Sequence, residues 1–384
     1  MPAMRVAVGL PSYQEADSIA YVVSQVDRGL THLFDPADCA IVNVDGNSPD
    51  GTSSVFLPTP TRCRKVSLVV TDSPPGKGRN VLRFLRYCNE NAVDLIATFD
   101  ADVVTVTPEW VRALLTPVIR REAHYVTPLY TRSRFEAAIT NHFAYPLFYG
   151  FSGLDIRQPI GGDFGLSGSL VNYLLQRPVD DSVYRYGIDI FMSMHAVGGG
   201  FRLVQAALGH KLHKPTFHKM PGMFCDVASA AVAVMRHYRI KTSGDDAGHV
   251  RPGIDDSSQY PHCQQAQELF KEMRSKGAEL EPIYRAWLGS DSSSLRATLH
   301  GDAPRLSSET WADLLAAAVS NALWRAPALP AYLFAERLAP LFIMRAVTFW
   351  SENSTRDPLS VHEEIVGQAQ IFRKKLLERA GLRA

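Results

Sequence analysis

Cysteine is scarce in this chain of 384 residues, and no two cysteines form a Cys-x-x-Cys motif. Because the five cysteines are odd in number and far apart, we expect neither a disulfide framework nor a zinc knuckle, and a reducing cytoplasm is the predicted location. An excess of one charge sign is also absent, since 40 Lys and Arg stand against 39 Asp and Glu. A net charge of +1 gives no reason to expect a nucleic-acid or anionic-membrane partner, because such binding depends on clustered basic residues.

Long hydrophobic runs are absent as well. The least charged stretch, residues 137 to 154, contains Asn141, His142 and Pro146, whereas a bilayer-spanning helix needs about 20 mainly apolar residues. We therefore predict no transmembrane helix. Residues 1 to 10 contain one Arg and a short apolar run without a small-residue cleavage site, so they predict a first strand and not a secretory signal.

The first half alternates β-branched runs with amphipathic stretches, which is typical of an α/β fold whose mostly parallel sheet has helices on both faces. The predicted strands are Arg5 to Leu10, Ala40 to Val44, Val66 to Thr71, Leu95 to Phe99 and Tyr125 to Leu129. The predicted helices run from Asp17 or Ser18 to about Gly29, from Gly78 to Asn91, and from Thr107-Pro108 to Glu122.

From about Met223 the strand runs give way to helical periods, so we predict a first domain over residues 1–222 and a helical domain over 223–384. The longest periods are Trp311 to Trp324, Tyr332 to Phe349 and Val361 to Arg379. The aromatic residues expected in the core of this domain are Trp311, Trp324, Phe334, Phe342 and Phe349. A lid over a substrate and an oligomer surface are alternative roles for it.

The strongest chemical signal is the apolar strand that ends in Asp100-Ala101-Asp102. Residues i and i+2 share a face of a strand, so both acids can point to one spot at the carboxyl edge of the sheet. Paired carboxylates suit a hard divalent cation such as Mg²⁺ or Mn²⁺. The alternative is a solvated Asp-x-Asp turn.

A second signal, Pro75-Gly76-Lys77-Gly78, lies between a strand and a helix. Glycines allow close backbone approach, and a helix N-terminus with a lysine favours phosphate. An ordinary turn is the alternative.

Polar loops also follow the first two strands, at Pro11-Ser12-Tyr13-Gln14-Glu15 and from Asp45 to Thr52, and they could line the same crevice. Among the histidines, candidates for a third metal ligand are His210, His213 and His218.

Together these motifs resemble the GT-A class of nucleotide-sugar glycosyltransferases, a Rossmann-like mixed sheet, here with a C-terminal helical domain. The likeness is nearest to the retaining mannosylglycerate synthases and glucosyl-3-phosphoglycerate synthases, and covers roughly residues 5 to 215. It implies transfer of mannose or glucose from a UDP-, GDP- or ADP-sugar to D-glycerate or 3-phosphoglycerate, with Mg²⁺ or Mn²⁺ and, as a further expectation, a homo-oligomer.

The resemblance also assigns residues by matching motifs. Donor binding falls to Pro11, Tyr13, Glu15, Asp45, Lys77, Asp100, Ala101 and Gly161. The metal falls to Asp100, Asp102 and His213, the Leu-Gly-x-x-x-His pattern selecting His213 over His210. Substrate contacts fall to Arg132, Ala137, Thr140, Ile160 and Gly162, and catalytic roles to Asp189 and Asp163. The glycine-rich acceptor loop of the phosphoglycerate-using relatives is missing, and Asp163 and Asp189 replace Glu of some relatives.

Three other classes remain to be weighed. An inverting polysaccharide synthase would show a Gln-x-x-Arg-Trp motif and membrane helices, which the sequence lacks. A nucleotidyltransferase would have its glycine-rich loop after the first strand, where Pro11 to Glu15 stand instead. A GT-A glycosyltransferase with another small or lipid acceptor, or a sugar-nucleotide-binding protein without activity, is the remaining alternative.

Overall fold

The computed structural model of the protein describes residues 5–71, 74–133, 135–212, 219–242, 253–255, 263–289, 293–301 and 305–382. In chain order its strands are β1 (Val6–Ser12), β2 (Cys39–Asp45), β3 (Arg64–Val69), β4 (Leu95–Thr98), β5 (Tyr125–Ser133), β6 (Phe164–Ser167), β7 (Leu203–His210) and β8 (Ile254–Asp255). Every residue of β2 is buried, as expected for a strand covered on both faces.

The strands form a mixed sheet in the order β3-β2-β1-β4-β6-β5-β7, and β8 pairs with the end of β5. The pairs β1–β2, β1–β4, β2–β3 and β5–β7 are parallel. Strand β6 runs antiparallel between β4 and β5. The mixed sheet expected from the resemblance is therefore confirmed.

Fourteen α-helices are present in the described part of the chain. They are α1 (Ile19–Thr31), α2 (Thr52–Phe56), α3 (Lys77–Glu90), α4 (Pro108–Ile119), α5 (Tyr145–Ser152), α6 (Gly168–Leu175), α7 (Ile188–Gly198), α8 (Met220–Met235), α9 (Cys263–Glu279), α10 (Glu281–Leu288), α11 (Ser293–His300), α12 (Ser308–Ser320), α13 (Ala331–Glu352) and α14 (Pro358–Arg379). Two π-helical turns, Thr140–Ala144 and Asn321–Arg325, directly precede α5 and follow α12.

Successive residues of β1 point to opposite faces of the sheet, and each face is covered by helices. Val8 belongs to a buried cluster with Val22 of α1 and Leu114 of α4. Its neighbour Gly9 points to the other face, where a Cβ would lie 2.4 Å from the ring of Phe84 in α3. The sheet is therefore covered on both sides, which leaves its edges for a site.

The predicted elements of the first half are all present, with ends displaced by a few residues. Strand β5 extends to Ser133, and α4 ends at Ile119 instead of Glu122. Ser18 and Thr107 occupy the expected N-cap positions, but neither side chain makes a capping hydrogen bond. Strands β6 and β7 were not predicted from the sequence, because both runs are short or interrupted by glycine.

The chain divides into two compact units, Met1–Thr131 with Gln158–Phe217, and Arg132–Arg157 with His218–Ala384. This division differs from the predicted boundary at residue 222, since the segment Arg132–Arg157 groups with the helical unit. Its apolar residues explain the grouping. Phe143 stacks edge-on against Phe224 of α8 with ring centroids 5.1 Å apart, and Gly150 of α5 packs directly on Phe372 of α14.

The core of the second unit contains most of the aromatic residues expected there. Trp311, Phe334, Phe342 and Phe349 are at most 1% exposed. The prediction for Trp324 was wrong, because this side chain is 43% exposed. Trp324 lies beyond the end of α12, in the π-helical turn Asn321–Arg325, so the α-helical spacing from Trp311 does not extend to it.

A buried ion pair also lies in the second unit. Arg345 of α13 is fully buried, and its Nη2 lies 2.6 Å from Oε1 of Glu364 in α14. Its Nη1 donates to the carbonyl oxygen of Leu306 at 3.1 Å, and its Nε to Oε1 of Gln368 at 3.1 Å. These contacts satisfy a guanidinium that would otherwise be costly to bury.

No helix in the described part of the chain has both the length and the apolar character that crossing a membrane requires.

Candidate active site

The carboxyl ends of three parallel strands meet at one edge of the sheet. Ser12, the last residue of β1, pairs with Asp45 at the end of β2, and the chain beyond β4 leads to Asp100. The backbone N–H of Gly46 donates to the carbonyl oxygen of Ser12 at 2.9 Å, which joins the first two loops. The polar loops found in the sequence therefore lie side by side at the edge where α/β proteins bind ligands.

Asp45 organises its own loop. Its Oδ1 accepts a hydrogen bond from the backbone N–H of Ser48 at 2.9 Å, and its Oδ2 accepts one from Oγ of Ser53 at 2.7 Å. Both carboxylate oxygens of this predicted donor-binding residue are thus used in turn structure. Tyr13, in the neighbouring loop, is 42% exposed and presents a ring to solvent. The other donor-binding candidates of that loop are partly buried: Pro11 and Glu15.

The carboxylate of Asp100 lies between two lysines. Nζ of Lys77 is 3.0 Å from its Oδ1, and Nζ of Lys211 is 2.8 Å from its Oδ2. Burial opposes ionisation, but the two ammonium groups outweigh it and hold the pKa of Asp100 well below its usual range. Burial likewise lowers the pKa of Lys77, and the carboxylates of Asp100 and Asp189 more than compensate, so that this pKa is raised. The cluster is charged at neutral pH.

The glycines beside Lys77 pack against the backbone of residues 183–185. A Cβ on Gly78 would lie 1.7 Å from the carbonyl oxygen of Val183, and a Cβ on Gly76 would lie 2.4 Å from that of Tyr184. Neither approach leaves room for a side chain. These glycines are therefore required by contact between two protein loops, which agrees with the ordinary turn that the sequence also allows.

The first amides of α3 are also engaged by this contact. The N–H of Gly78 donates to the carbonyl oxygen of Arg185 at 2.9 Å, and that of Arg79 to the carbonyl oxygen of Tyr184 at 3.0 Å. The expectation that this helix N-terminus is open to an anion is thus wrong for these two donors. The loop offers an anion the ammonium group of Lys77 instead.

Asp189, the second residue of α7, lies beside Lys77. Its Oδ2 accepts a hydrogen bond from the N–H of Gly161 at 3.1 Å and is 3.4 Å from Nζ of Lys77. Its Oδ1 is buried and has no hydrogen-bond partner among the residues that the structure describes. Leaving a buried acceptor unsatisfied costs about 1–3 kcal/mol, so this oxygen is suited to accept a hydrogen bond from a bound molecule.

Asp163 is fully buried and is held through both oxygens. Its Oδ1 accepts a hydrogen bond from the N–H of Asp100 at 2.8 Å. Its Oδ2 accepts hydrogen bonds from the hydroxyl of Tyr130 and, at 2.9 Å, from Nζ of Lys211. Burial raises the pKa of Asp163, although Lys211 opposes the shift. Because the protein uses both oxygens, Asp163 is placed to fix its neighbours.

Lys211 and Tyr130 were not among the residues selected from the sequence. Lys211 follows β7 within a run that also contains His210 and His213, and the histidines drew the metal-ligand hypothesis. Lys211 directly follows β7, which is parallel to β5. This position was the signal that could have indicated that Lys211 lies at the carboxyl edge of the sheet. Tyr130 gives no such signal, because an aromatic residue in a buried strand is ordinary core.

The remaining candidates of the first unit surround Asp100. Gly162 has a φ of +85°, and a Cβ there would lie 2.1 Å from Oδ2 of Asp100, so only glycine fits. Ala101 is buried, and its carbonyl oxygen accepts a hydrogen bond from Oγ of Ser18 at 2.8 Å. The other two candidates are partly buried: Ile160 and Asp102.

Three predicted substrate-binding residues belong to the second unit. Arg132 lies at the end of β5 and pairs with β8. Ala137 has a positive φ of 57°, which is unusual for alanine, and Thr140 begins the first π-helical turn and is 7% exposed. The predicted metal ligand His213, and the candidate His218, lie outside the described residues.

The chemistry of the described carboxylates suits a hard divalent cation, since Asp100 and Asp102 supply oxygen donors. Each oxygen of Asp100 is already at ion-pair distance from a lysine, so a cation would share this carboxylate. Within the described ranges, no group of three or more His, Cys, Asp or Glu side chains could hold a metal ion. Two of the three predicted ligands, Asp100 and Asp102, lie in the described part of the chain.

Residues 7–171 match the model of glycosyl transferase family 2. This segment, less than half of the chain, is therefore similar to a glycosyltransferase domain. It contains β1 to β6, and with them the loops that place Asp45, Lys77, Asp100 and Asp163. The glycosyltransferase assignment from the resemblance is therefore confirmed. No curated protein sequence matches the chain at a significant level.

Solved structures support the GT-A fold of this part of the chain. One is glucosyl-3-phosphoglycerate synthase from Mycobacterium tuberculosis in complex with Mn²⁺, UDP and phosphoglyceric acid, with 21% identity, 60% of this chain and 78% of that chain covered, and a TM-score of 0.51. A mycobacterial protein has 23% identity, covers 60% of this chain and 75% of its own, and also has a TM-score of 0.51. At such identities the likeness establishes the fold alone.

Proposed function

We propose that this protein is a retaining glycosyltransferase that moves glucose or mannose from a nucleotide-diphosphate sugar to D-glycerate or 3-phosphoglycerate, with Mg²⁺ or Mn²⁺. The observation that carries the proposal is the cluster of Lys77, Asp100 and Asp189 at the carboxyl edge of the sheet, where Oδ1 of Asp189 is buried and has no hydrogen-bond partner in the described part of the chain. The cluster thus contains an ammonium group, that of Lys77, which can bind a diphosphate, and a hydrogen-bond acceptor, Oδ1 of Asp189, which can bind a sugar hydroxyl.

The charges of the cluster suit the cleavage of a sugar–phosphate bond. Negative charge grows on the departing diphosphate, while the sugar ring becomes oxocarbenium-like, as in glycoside cleavage. Lys77 can meet the first charge, because its side chain is 22% exposed and can turn from Asp100 and Asp189 toward a ligand. Asp189 can orient a sugar hydroxyl through Oδ1 and face the electron-poor ring.

Retention is explained by attack on the front face of the sugar. The acceptor hydroxyl oxygen forms the new bond to the anomeric carbon as the bond to the phosphate oxygen breaks, and the hydroxyl proton passes to that oxygen. No strong general base is required, so Asp189 acts as an orienting group. A divalent cation held by Asp102, Asp100 and His213 would supply Lewis-acid stabilisation of the leaving diphosphate, an effect of several kcal/mol.

The choice of acceptor rests on the resemblance and on the solved structures. Glucosyl-3-phosphoglycerate synthase has been solved with UDP-glucose, Mn²⁺ and phosphoglyceric acid, with a TM-score of 0.50 against this chain. A complex with Mg²⁺ and UDP has the same score. Arg132, Ala137 and Thr140 are the residues proposed to hold glycerate, since a guanidinium can bind a carboxylate through two hydrogen bonds.

The test is an assay of nucleotide release with UDP-, GDP- and ADP-sugars against D-glycerate and 3-phosphoglycerate, with Mg²⁺ or Mn²⁺. We expect release to depend on one acceptor and the metal, and the product to keep the anomeric configuration of the donor, which NMR coupling constants report. Asp189→Asn serves as the inactive control, because it keeps the volume of the side chain.

Each other outcome has a defined meaning. Donor binding in calorimetry without release for any acceptor would indicate a sugar-nucleotide-binding protein. Nucleotide release with an acceptor other than D-glycerate or 3-phosphoglycerate would support the proposed glycosyl transfer and contradict the proposed acceptor. Inversion of configuration, or full activity in EDTA, would contradict the proposed mechanism.

A further inference from the structure

Lys211 is the more buried of the two lysines that contact Asp100 in the candidate active site. Its side chain is 2% exposed, whereas that of Lys77 on the same carboxylate is 22% exposed. Nζ of Lys211 lies 2.8 Å from Oδ2 of Asp100, 2.9 Å from Oδ2 of Asp163 and 2.7 Å from the carbonyl oxygen of Gly161. An ammonium group has three N–H donors, and these contacts use all of them.

These three acceptors come from two separate segments. Asp100 follows β4, while Gly161 and Asp163 precede β6. The same segments are joined by the hydrogen bond from the N–H of Asp100 to Oδ1 of Asp163 at 2.8 Å, and by that from Oγ1 of Thr98 to the carbonyl oxygen of Gly162 at 2.8 Å. Lys211 therefore lies at the junction that fixes one segment against the other.

Two carboxylates so close together would repel each other without a cation between them. Lys211 provides that cation from within the protein. Because the N–H of Gly161 donates to Asp189 at 3.1 Å, the segment that Lys211 holds also fixes Asp189. A change at Lys211 should therefore be transmitted through Asp163 and Gly161 to the group that orients the sugar.

We propose that Lys211 is a positioning residue that holds Asp100, Asp163 and the segment from Gly161 in register, and that it does not itself bind the donor. This inference rests on the proposed function for its catalytic consequence. Lys77 and Lys211 thus have different roles. Lys77 is exposed enough to move to a diphosphate, while Lys211 stays in place because its donors are bound to protein oxygens.

The test compares Lys211→Met with Lys77→Met, which removes the other ammonium group from the same carboxylate. For Lys211→Met we expect kcat to fall at least about 100-fold, as for a misplacement of about 1 Å, while the donor Kd from calorimetry changes less than about threefold. For Lys77→Met we expect the donor Kd to rise at least about tenfold, since a charge-assisted contact is lost.

Hydrogen exchange supplies a readout that needs no turnover. The amide of Asp100 is protected by Oδ1 of Asp163, so Lys211→Met should speed its exchange at least about tenfold and leave β1 and β2 unchanged. Lys77→Met should leave the Asp100 amide protected. If Lys211→Met does not fold, Lys211→Met with Asp163→Gln avoids the unpaired buried carboxylate, and its donor Kd should remain within about threefold of that of the unaltered protein.

Several results would overturn the inference. A donor Kd weakened tenfold in either Lys211 variant would place Lys211 on the donor. Unchanged kcat, or unchanged exchange at Asp100, would remove its positioning role. If the unaltered protein shows no transfer for any donor and acceptor, the proposed function fails, and the exchange measurement still decides the role of Lys211.

Discussion

Gly78→Ala should displace residues 183–185, which lead into α7 and its second residue, Asp189. The added Cβ would lie 1.7 Å from the carbonyl oxygen of Val183. A carbon and a carbonyl oxygen approach each other no closer than about 3.3 Å in ordinary contacts, so the two loops must separate by about 1.5 Å. The obstacle is backbone, which cannot rotate away as the end of a side chain can.

The cost follows from packing and from two hydrogen bonds. Overpacking of this kind costs about 1–3 kcal/mol, and the bonds from Gly78 and Arg79 to residues 185 and 184 are worth about 1 kcal/mol each. We therefore expect the free energy of unfolding to fall by about 2–5 kcal/mol. A misplacement of about 1 Å at Lys77 and Asp189 should lower turnover about 100-fold.

Urea unfolding and initial-rate assays measure both effects. Gly367→Ala is the matched control, because Gly367 lies within α14 and a Cβ there would meet no atom within 4 Å. That variant should be unchanged or more stable by about 0.5–1 kcal/mol, with normal activity. If Gly78→Ala unfolds within about 0.5 kcal/mol of the unaltered protein and keeps its turnover within about twofold, the contact does not position the loop.

Asp102→Ala and His213→Ala should each abolish metal-dependent turnover in a folded protein, which circular dichroism and titration with Mn²⁺ check; normal activity in EDTA would refute the metal role. Asp189→Asn should lower kcat more than it raises the donor Kd, and wild-type turnover would dismiss Asp189. Glu364→Gln should cost about 3 kcal/mol at neutral pH, because buried Arg345 loses its ion pair. Burial favours the neutral acid, but hydrogen bonds and charge from its partners lower the pKa of Glu364 overall. The stabilisation from ionised Glu364 is therefore complete above the ordinary Glu pKa of about 4.3, and it is lost as the pH falls through the lower pKa of the folded protein. The melting temperatures of Glu364→Gln and of the unaltered protein should therefore converge in acid. A difference that stays constant with pH would contradict this.

The strands and the glycosyltransferase class could be predicted because both depend on local sequence. The run that forms β2 is mostly apolar and fully buried, and its ends fall within a residue of the prediction. The acids after β4 follow from strand direction alone. The motifs that indicated the enzyme class lie in loops whose order along the chain is visible without any structure.

The environment of Asp100 could not be predicted, because its partners are distant in sequence. Lys211 is 111 residues from Asp100 and 48 from Asp163 along the chain, and nothing near it indicates either contact. The role of Gly78 could not be decided from the sequence for a related reason. A glycine beside a lysine is compatible with both phosphate binding and loop packing, and only the position of Val183 distinguishes them.

The antiparallel β6 determines when the site can form during folding. Phe164 pairs with Thr98, so Asp163 reaches Asp100 from the opposite direction, after 63 intervening steps along the backbone. When β1 to β4 have left the ribosome, the loops at the carboxyl edge of these strands have been made without the acid that binds the Asp100 amide. Chains truncated before residue 163 should therefore retain the parallel pairing of β1 to β4 and yet be unable to assemble the candidate site, which makes its completion a late event of synthesis.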